Sequence, residues 1–498
     1  MIEKFRFRKI MSKLQHPNNQ KQEHKDNVEQ RIPSSISQCE ELVKTIFNHS
    51  TDMIVQAIET KKGNVLLVYI DGLINKDITD RDIITPLKAQ DFDGNYSMAL
   101  KSTYKTVDNI PAFCTEVVNG NIAIFHENSQ DIIIVDFKEW NKRAVETPDS
   151  ESVVRGPKEG FTESIRTNTS LIRRKIRNPR LIFENITLGT QTNTIVNLVY
   201  IDGIVNRNVL DELRNRLSEI ETDSILESGH IEQYIEENPF SPISGIGVSQ
   251  KPDLVASRIL EGRVAVLCDG TPHVLTIPEL MIENIHTGED YYNRTLYTSI
   301  IRVLRTFGIL ITVMLPGLAV SIITYNQEML PSVFLFNLIA STEKTPMPTA
   351  AEVFLLILMF ELLKEAGTRL PRAVGSAITI VGSLIIGDTA VNAGIVGAPI
   401  VIVVALTAVT GFIAPNLSEF IMVYRLIFLF LGSTMGLIGI GTGIFIMLTQ
   451  LVSLSSFGVP ILSSFSKNEM KDTIFRFPLW SMKYRPSSIA KGNMKRRK

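Results

Sequence analysis

From Leu426 to Ser466 the chain runs 41 residues without an Asp, Glu, Lys or Arg. A soluble core does not require such a tract, whereas a bilayer core of ~30 Å takes about 20 apolar residues in a helix. Two further stretches read the same way. Residues 306–327 (TFGILITVMLPGLAVSIITYNQ) carry no charge, and Ala373 to Ser418 carries one, Asp388. Residues 301–466 are therefore expected to form an all-α polytopic transmembrane domain. Spans are expected at 306–326, 350–368, 373–391 and 395–414, and one beginning at 426. At ~1.5 Å per residue a continuous helix over 426–466 would reach ~60 Å, too long for one crossing. A hairpin turning near Gly439, Gly441 and Gly443 is expected instead. The run 331–341 is then interfacial or re-entrant. Pro316 should kink the first span, which a bundle tolerates when a neighbour satisfies the freed carbonyl.

Charge orients this domain. The tail, 467–498, holds ten Lys/Arg against Glu469 and Asp472, a net of +8 hidden within a chain total of −1. Basic segments stay on the cytoplasmic side, and Arg302 and Arg305 flank the first span. Both ends inside require an even number of crossings, so six is favoured over five.

The preceding part contains a repeat. LVYIDGLINKDI begins at Leu67 and LVYIDGIVNRNV at Leu198, 131 positions later. Each copy reads as a strand (65–70, 195–201), an Asp-Gly turn and a helix. Asn206 is placed to cap a helix presenting Leu210, Leu213, Leu217 and Ile220, and Thr79 with Asp82 resembles a capping box. The likeness continues in 117–137 and 259–278, both read as helix end, glycine cap (Gly120, Gly262), strand, turn, strand. The expected fold is thus an α/β cytoplasmic domain of two related subdomains, 39–145 and 185–300, joined by a basic linker, 146–184. A transmembrane helical domain and a short basic tail follow. Residues 1–38, rich in Asn, Gln and Lys, are expected to be a disordered arm without a signal peptide.

Asp71 and Asp202 close the repeated strands. They are candidates for contacts in a cleft between the subdomains, or turn residues after a buried strand. The linker holds eight Lys/Arg between Arg155 and Arg180. With only Phe161 interleaved it is a poor nucleic-acid surface and a better solvated, subunit-facing or lipid-facing helix. No P-loop, HExxH, GxSxG or kinase pattern occurs, and the three cysteines and seven histidines show no metal-ligand spacing. No enzyme activity, metal or other cofactor is expected.

In the membrane half, AEVFLLILMFELLKEAGTRLPR sets Glu361, Glu365 and Arg369 at i, i+4 and i+8. Charges facing lipid cost ~2.5–3.5 kcal/mol each, so these should face protein or water. They are read either as an ion pair at the membrane edge or, repeated around a pore, as a ring attracting cations. Gly432/Gly436 and Gly439/Gly443 match GxxxG and permit close helix approach.

Several long blocks together resemble the A subunits of GerA-type spore germinant receptors. These are RGPKEGFTESIRTNTSLIRRKIRNPRL (155–181), KPDLVASRILEGRVAVLCDGTP (251–272), EDYYNRTLYTSIIRVLR (289–305) and FELLKEAGTRLPRAVGSAITIVGSLIIGDTAV (360–391). SFGVP (456–460) and KDTIFRFP (471–478) fit as well. The resemblance runs from about residue 40 to 486. One departure is VSQKPD, with Ser249 and Gln250 where relatives commonly carry T-E-[RK]-P-D.

The resemblance implies a multi-pass protein of the spore inner membrane, with its first domain and tail on the core side. It implies an oligomeric, ligand-gated channel for monovalent cations, a homo-oligomer in the bilayer accompanied by a transporter-like B subunit and a lipoprotein C subunit. Two other readings stand beside it. One is an accessory A-subunit-like membrane protein associated with the spore dipicolinate channel. The other is a secondary transporter, disfavoured because the membrane half lacks an internal hydropathy repeat.

Overall fold

The computed structural model describes residues 32–33, 35–60, 63–88, 103–127, 129, 131–136, 151, 153–342, 345–370, 382, 385–462, 472–473, 475–490 and 494–496. The expected arm, 1–38, falls almost wholly outside these, as does most of the span expected at 373–391. The chain divides into two compact units, Met1–Arg143 with Ile176–Ile182, and Ala144–Lys175 with Phe183–Lys498.

The first unit comprises α1 (Ile36–Ile46), β1 (Met53–Thr60), β2 (Gly63–Ile70), a helical run from Lys76 to Lys88, β3 (Tyr104–Val107), α2 (Ile110–Val118), β4 (Ile122–His126) and β5 (Ile132–Val135). Its sheet has the order β1-β2-β4-β5-β3, with antiparallel pairing throughout. The unbroken apolar run of β2 has a simple cause, because successive side chains of a strand point to opposite faces. Leu66, Val68 and Ile70 join Val43 of α1 and Phe113 and Val117 of α2 in one core. Val65, Leu67 and Tyr69 join Ile83, Ile84 and Leu87 of the helical run in the other. That run is capped by Asn75, whose side chain accepts from the Asp77 amide at 3.1 Å. Thr79 lies a turn inside the helix instead, its hydroxyl donating to the Asn75 carbonyl, so the expected box starting at Thr79 is one turn late.

The second unit begins with α3 (Ile165–Lys175), then most of β6 (Leu181–Leu188), β7 (Thr194–Ile201), α4 (Arg207–Ser218), α5 (Ser228–Ile235), β8 (Gly247–Ser249), α6 (Pro252–Glu261), β9 (Val264–Cys268) and β10 (Val274–Ile277). Its sheet order, β6-β7-β9-β10-β8, is that of the first sheet element for element. Leu210, Leu213 and Leu217 of α4 are buried as the pattern requires, while Ile220 lies beyond the helix end. Asn206 precedes α4 without a side-chain capping bond. Gly262 ends α6 with φ 107, a left-handed value suited to glycine. The basic segment is less solvated than its composition suggests. Arg173 of α3 is fully buried over the Phe183 ring, 5.0 Å from its centroid, and Lys175 pairs with Glu159 at 2.8 Å.

A buried ionic set closes this part of the unit. Arg258 meets Glu279 at 2.8 Å, and the fully buried Arg263 meets Glu279 at 3.5 Å and also pairs with Glu283. Burial pushes both carboxyls up. Arg263 brings Glu283 well below the usual carboxylate range, whereas Glu279 stays raised.

The helical part consists of α7 (Thr295–Tyr325), α8 (Ser332–Thr342), α9 (Thr349–Thr368), α10 (Ala398–Gly411) and α11 (Ser418–Ser453). Among the described residues two helical stretches, Thr295–Tyr325 and Pro415–Ser453, are long and apolar enough to cross a membrane. The second is not one rod. Gly436 has φ 62 and ψ −140, and the chain reverses there. Tyr424 reaches Gln450 across the reversal, although ~39 Å would separate their levels in a straight helix. The expected hairpin therefore exists, turning at Gly436 and not at Gly439–Gly443. Each arm, 418–435 and 437–453, rises ~26 Å, close to a hydrocarbon core. The small residues serve the approach of α7 and the two arms. A Cβ on Gly317 would lie 2.3 Å from the Phe428 carbonyl oxygen, and one on Gly432 would lie 2.5 Å from the Gly317 oxygen.

Beyond α11 a two-strand turn, β11 (Ser455–Ser456) and β12 (Val459–Pro460), seats on the second α/β unit. Ser456 donates to the Gly245 carbonyl at 2.6 Å, Ser455 to Glu237 at 3.0 Å, and Arg216 lies over the Phe457 ring at 4.4 Å. The tail returns as well. Arg485 donates to the Leu260 carbonyl at 2.8 Å, Arg496 pairs with Glu261, and Ile489 and Ala490 are buried.

Candidate functional site

A concentration of polar groups withdrawn from the surface lies in the helical part where α7, α9, α10 and α11 meet. Its origin is Pro316. Proline has no N–H, so the carbonyl four residues earlier in the helix, that of Thr312, loses its normal partner. Arg425 supplies one, its Nε donating to the Thr312 carbonyl at 3.3 Å. The same guanidinium donates through Nη1 to Glu361 of α9 at 2.8 Å. Both side chains are withdrawn from the surface, 5% exposed for Arg425 and 18% for Glu361. The Thr312 hydroxyl donates to the Gly308 carbonyl and lies 2.7 Å from the Thr410 hydroxyl of α10. One arginine thus ties together three helices. A small pocket opens beside it, lined by Phe360, Glu361, Lys364, Phe412 and Arg425.

The stripe of α9 is divided by this arrangement. Glu361 pairs with Arg425 and, at 3.7 Å, with Lys364. Glu365 and Arg369 form an i,i+4 pair at 2.6 Å and are both exposed. A second carboxylate, Glu352, is fully buried one helix turn after the start of α9. It accepts from the Gly397 amide at 2.9 Å, ahead of α10, where the positive end of the helix dipole favours an anion.

Where the chain enters α7 lies a third charged set. Arg302, with no exposed surface, donates to Asp290 at 3.0 Å and to Asp472 at 2.9 Å, and Arg305 adds a contact to Asp290 at 3.2 Å. Tyr291 donates to Asp472 and underlies both Arg302 and Arg476 at 5.6 Å. Burial raises the Asp290 carboxyl, and Arg305 and Arg302 more than offset that, holding it below the usual range.

Asp71 and Asp202 occupy equivalent places in the repeat. Each precedes a glycine of positive φ, Gly72 at 82 and Gly203 at 80. Each pairs with the basic residue five positions on, Lys76 and Arg207 respectively. The geometry is that of turn residues.

The missed groups are Arg425, Thr312, Thr410 and Glu352. Arg425 had a signal, as the last charge before the uncharged tract, and Thr312 had another, four residues before a mid-span proline.

Comparison with known proteins supplies the family. The model of the Bacillus/Clostridium GerA spore germination protein matches residues 41–488. The chain belongs to the GerA spore germination family. Spore germination protein KA of Bacillus subtilis is 38% identical over 458 residues, 89% of this GerA-family chain and 84% of the relative. The uncharacterized membrane protein YfkQ of Bacillus subtilis is 34% identical over 484 residues, 95% of this chain and 94% of its own. Among solved structures, the N-terminal domain of the A subunit of the Bacillus megaterium spore germinant receptor GerK3 is similar. It is 30% identical, with a TM-score of 0.40, over 50% of this chain and 97% of that one.

Proposed function

We propose that this chain is a membrane subunit of a nutrient germinant receptor that triggers spore germination. In this reading it forms an oligomeric, ligand-gated channel for monovalent cations in the spore inner membrane, with transporter-like and lipoprotein partner subunits. The observation that carries the reading is the Glu361–Arg425 pair seated on the carbonyl freed by Pro316, within a chain of the GerA family. Buried ionisable groups in a membrane domain are costly and mark pathways or switches. With the helices closed, Arg425 holds Glu361. When they part, the carboxylate turns toward the pore and attracts cations.

Topology supports the same reading. In this reading the tail, bonded to the base of α7 and to the second α/β unit, lies with both on one side of the membrane. An even number of crossings follows, and six fits the apolar tracts with the reversal at Gly436. Basic residues flanking the first span favour the spore core for that side.

The test is potassium release from spores lacking this gene, across amino acids, sugars and nucleosides. Release lost for one nutrient class supports a receptor subunit; normal release for every class counts against it. The alternative is an accessory subunit beside the dipicolinate channel. Slowed dipicolinate exit with normal potassium release would select that reading.

A further inference from the structure

The first three turns of α7 are inverted relative to a soluble helix. Leu296, Tyr297, Ile300, Leu304 and Phe307 are 76%, 58%, 53%, 58% and 60% exposed. At 3.6 residues per turn these five fall within an arc of about 100°. The charged groups of the same turns point the other way, with Arg302 buried and Arg305 drawn in to Asp290. The apolar face is outside and the ions are inside.

The tail extends this face. Arg476 is strapped to α7 at Ser299, its amide donating to the Ser299 hydroxyl at 3.0 Å and its carbonyl accepting from it at 3.2 Å. Its guanidinium donates to the carbonyls of Asn293 and Tyr291. So anchored, the segment leaves Phe475, Phe477, Leu479 and Trp480 outward, Trp480 at 69% exposed. Lys483 and Tyr484, next along, are exposed too.

We infer that the outward face of α7 from Leu296 to Phe307, together with tail residues Phe475 to Tyr484, is a belt seated in the lipid headgroup layer on the tail's side of the membrane. This rests on the membrane reading above and adds where the bilayer surface lies. Length supports it. The 31 residues of α7 rise ~46 Å, whereas hydrocarbon needs ~30 Å and the whole bilayer with its headgroups ~40–45 Å. The excess is at the N-terminal end, where the belt is. Composition supports it as well, since Trp, Tyr and Lys beside an apolar face are what the membrane–water interface selects. The face also continues without a break into the outward apolar residues of the span, such as Leu310.

Trp140 and Trp480 are the two tryptophans of the chain, so Trp140→Phe leaves one reporter. The full-length variant is reconstituted in phosphatidylcholine–phosphatidylglycerol vesicles brominated either near the headgroup or near the chain end. Flotation after a carbonate wash is read first. The expected result is a chain that floats, a blue-shifted Trp480 emission, and greater loss of intensity with shallow bromine than with deep. A floating chain whose emission ignores bromine and yields to aqueous iodide overturns the belt. Emission shielded from both quenchers means that a second copy covers the face, and overturns it too. A chain washed off the vesicles defeats the membrane reading itself, and the belt with it. Should Trp140→Phe fail to fold, the same signal is read as the difference between the wild-type chain and Trp480→Phe.

Discussion

Arg425 donates its Nε to the Thr312 carbonyl, the group that Pro316, four residues on, leaves without its helical partner. That guanidinium also neutralises Glu361. Replacing it by methionine keeps much of the volume and removes both interactions, leaving Glu361 to its longer contact with Lys364 at 3.7 Å. Arg425→Met is expected to cost ~3–5 kcal/mol, as for other broken buried pairs. Thermal unfolding in detergent checks this, and adding Glu361→Gln should recover part of the loss.

Pro316→Ala restores an N–H able to serve the Thr312 carbonyl. In that background Arg425→Met should hurt less, by ~1 kcal/mol, the net worth of one hydrogen bond. A double-mutant cycle measures the difference. Strict additivity would mean that the contact at Thr312 carries no stability.

Glu361→Gln removes the charge and keeps the shape. Under the proposed channel function, potassium flux through the reconstituted chain is expected to fall while assembly, read by size-exclusion chromatography, is retained. Unchanged conduction and selectivity would remove Glu361 from the pathway.

At Gly436 the backbone values of φ 62 and ψ −140 fall in a region that is essentially glycine's. An added Cβ would also come within 3.1 Å of Tyr325. Gly436→Ala is expected to destabilise the folded chain by ~1–3 kcal/mol. Gly441→Ala, where nothing stands within 4 Å, serves as the control.

Asp290 gives a pH dependence. Its carboxyl titrates lower in the folded chain than in the unfolded one, so the folded state binds the proton less readily. Its contribution is therefore complete above the unfolded value of ~3.9 and is lost as pH falls through the lower folded value. The melting temperature should drop in the acid range below about pH 4. In Asp290→Asn that acid slope should be shallower and the neutral-pH stability lower.

Much of the architecture was legible because it is written in local pattern. The LVYIDG repeat announced two sheets of the same strand order, and the uncharged tracts announced the long apolar helices and a hairpin within 426–466. The first strand of each sheet was not foreseen. β1 and β6 mix apolar residues with Gln, Glu and Asn, as MIVQAIET and LIFENITL, because each is the outermost strand of its sheet and is only partly buried. The partner of Glu361 was invisible for another reason. It lies 64 positions away on another helix, and no periodicity reports such a pairing. The docked tail escaped notice likewise, since its basic composition reads as solvated until Glu261 and the Leu260 carbonyl are brought to it and its Asp472 meets Arg302.

The turn at Ser455–Pro460 has a mechanical consequence. The final arm of the hairpin ends at Ser453, and Ser455 and Ser456 are already bonded to Glu237 and Gly245. No slack separates them. At its other end Gly436 joins the arm directly to the preceding one. An element pinned at both ends in this way cannot slide along its own axis without pulling the α/β unit with it, but it can still turn. A shift of α4 at Arg216, or of the segment after α5 at Glu237, would reach the arm as torque, rolling Gly439 and Gly443 across the facing arm.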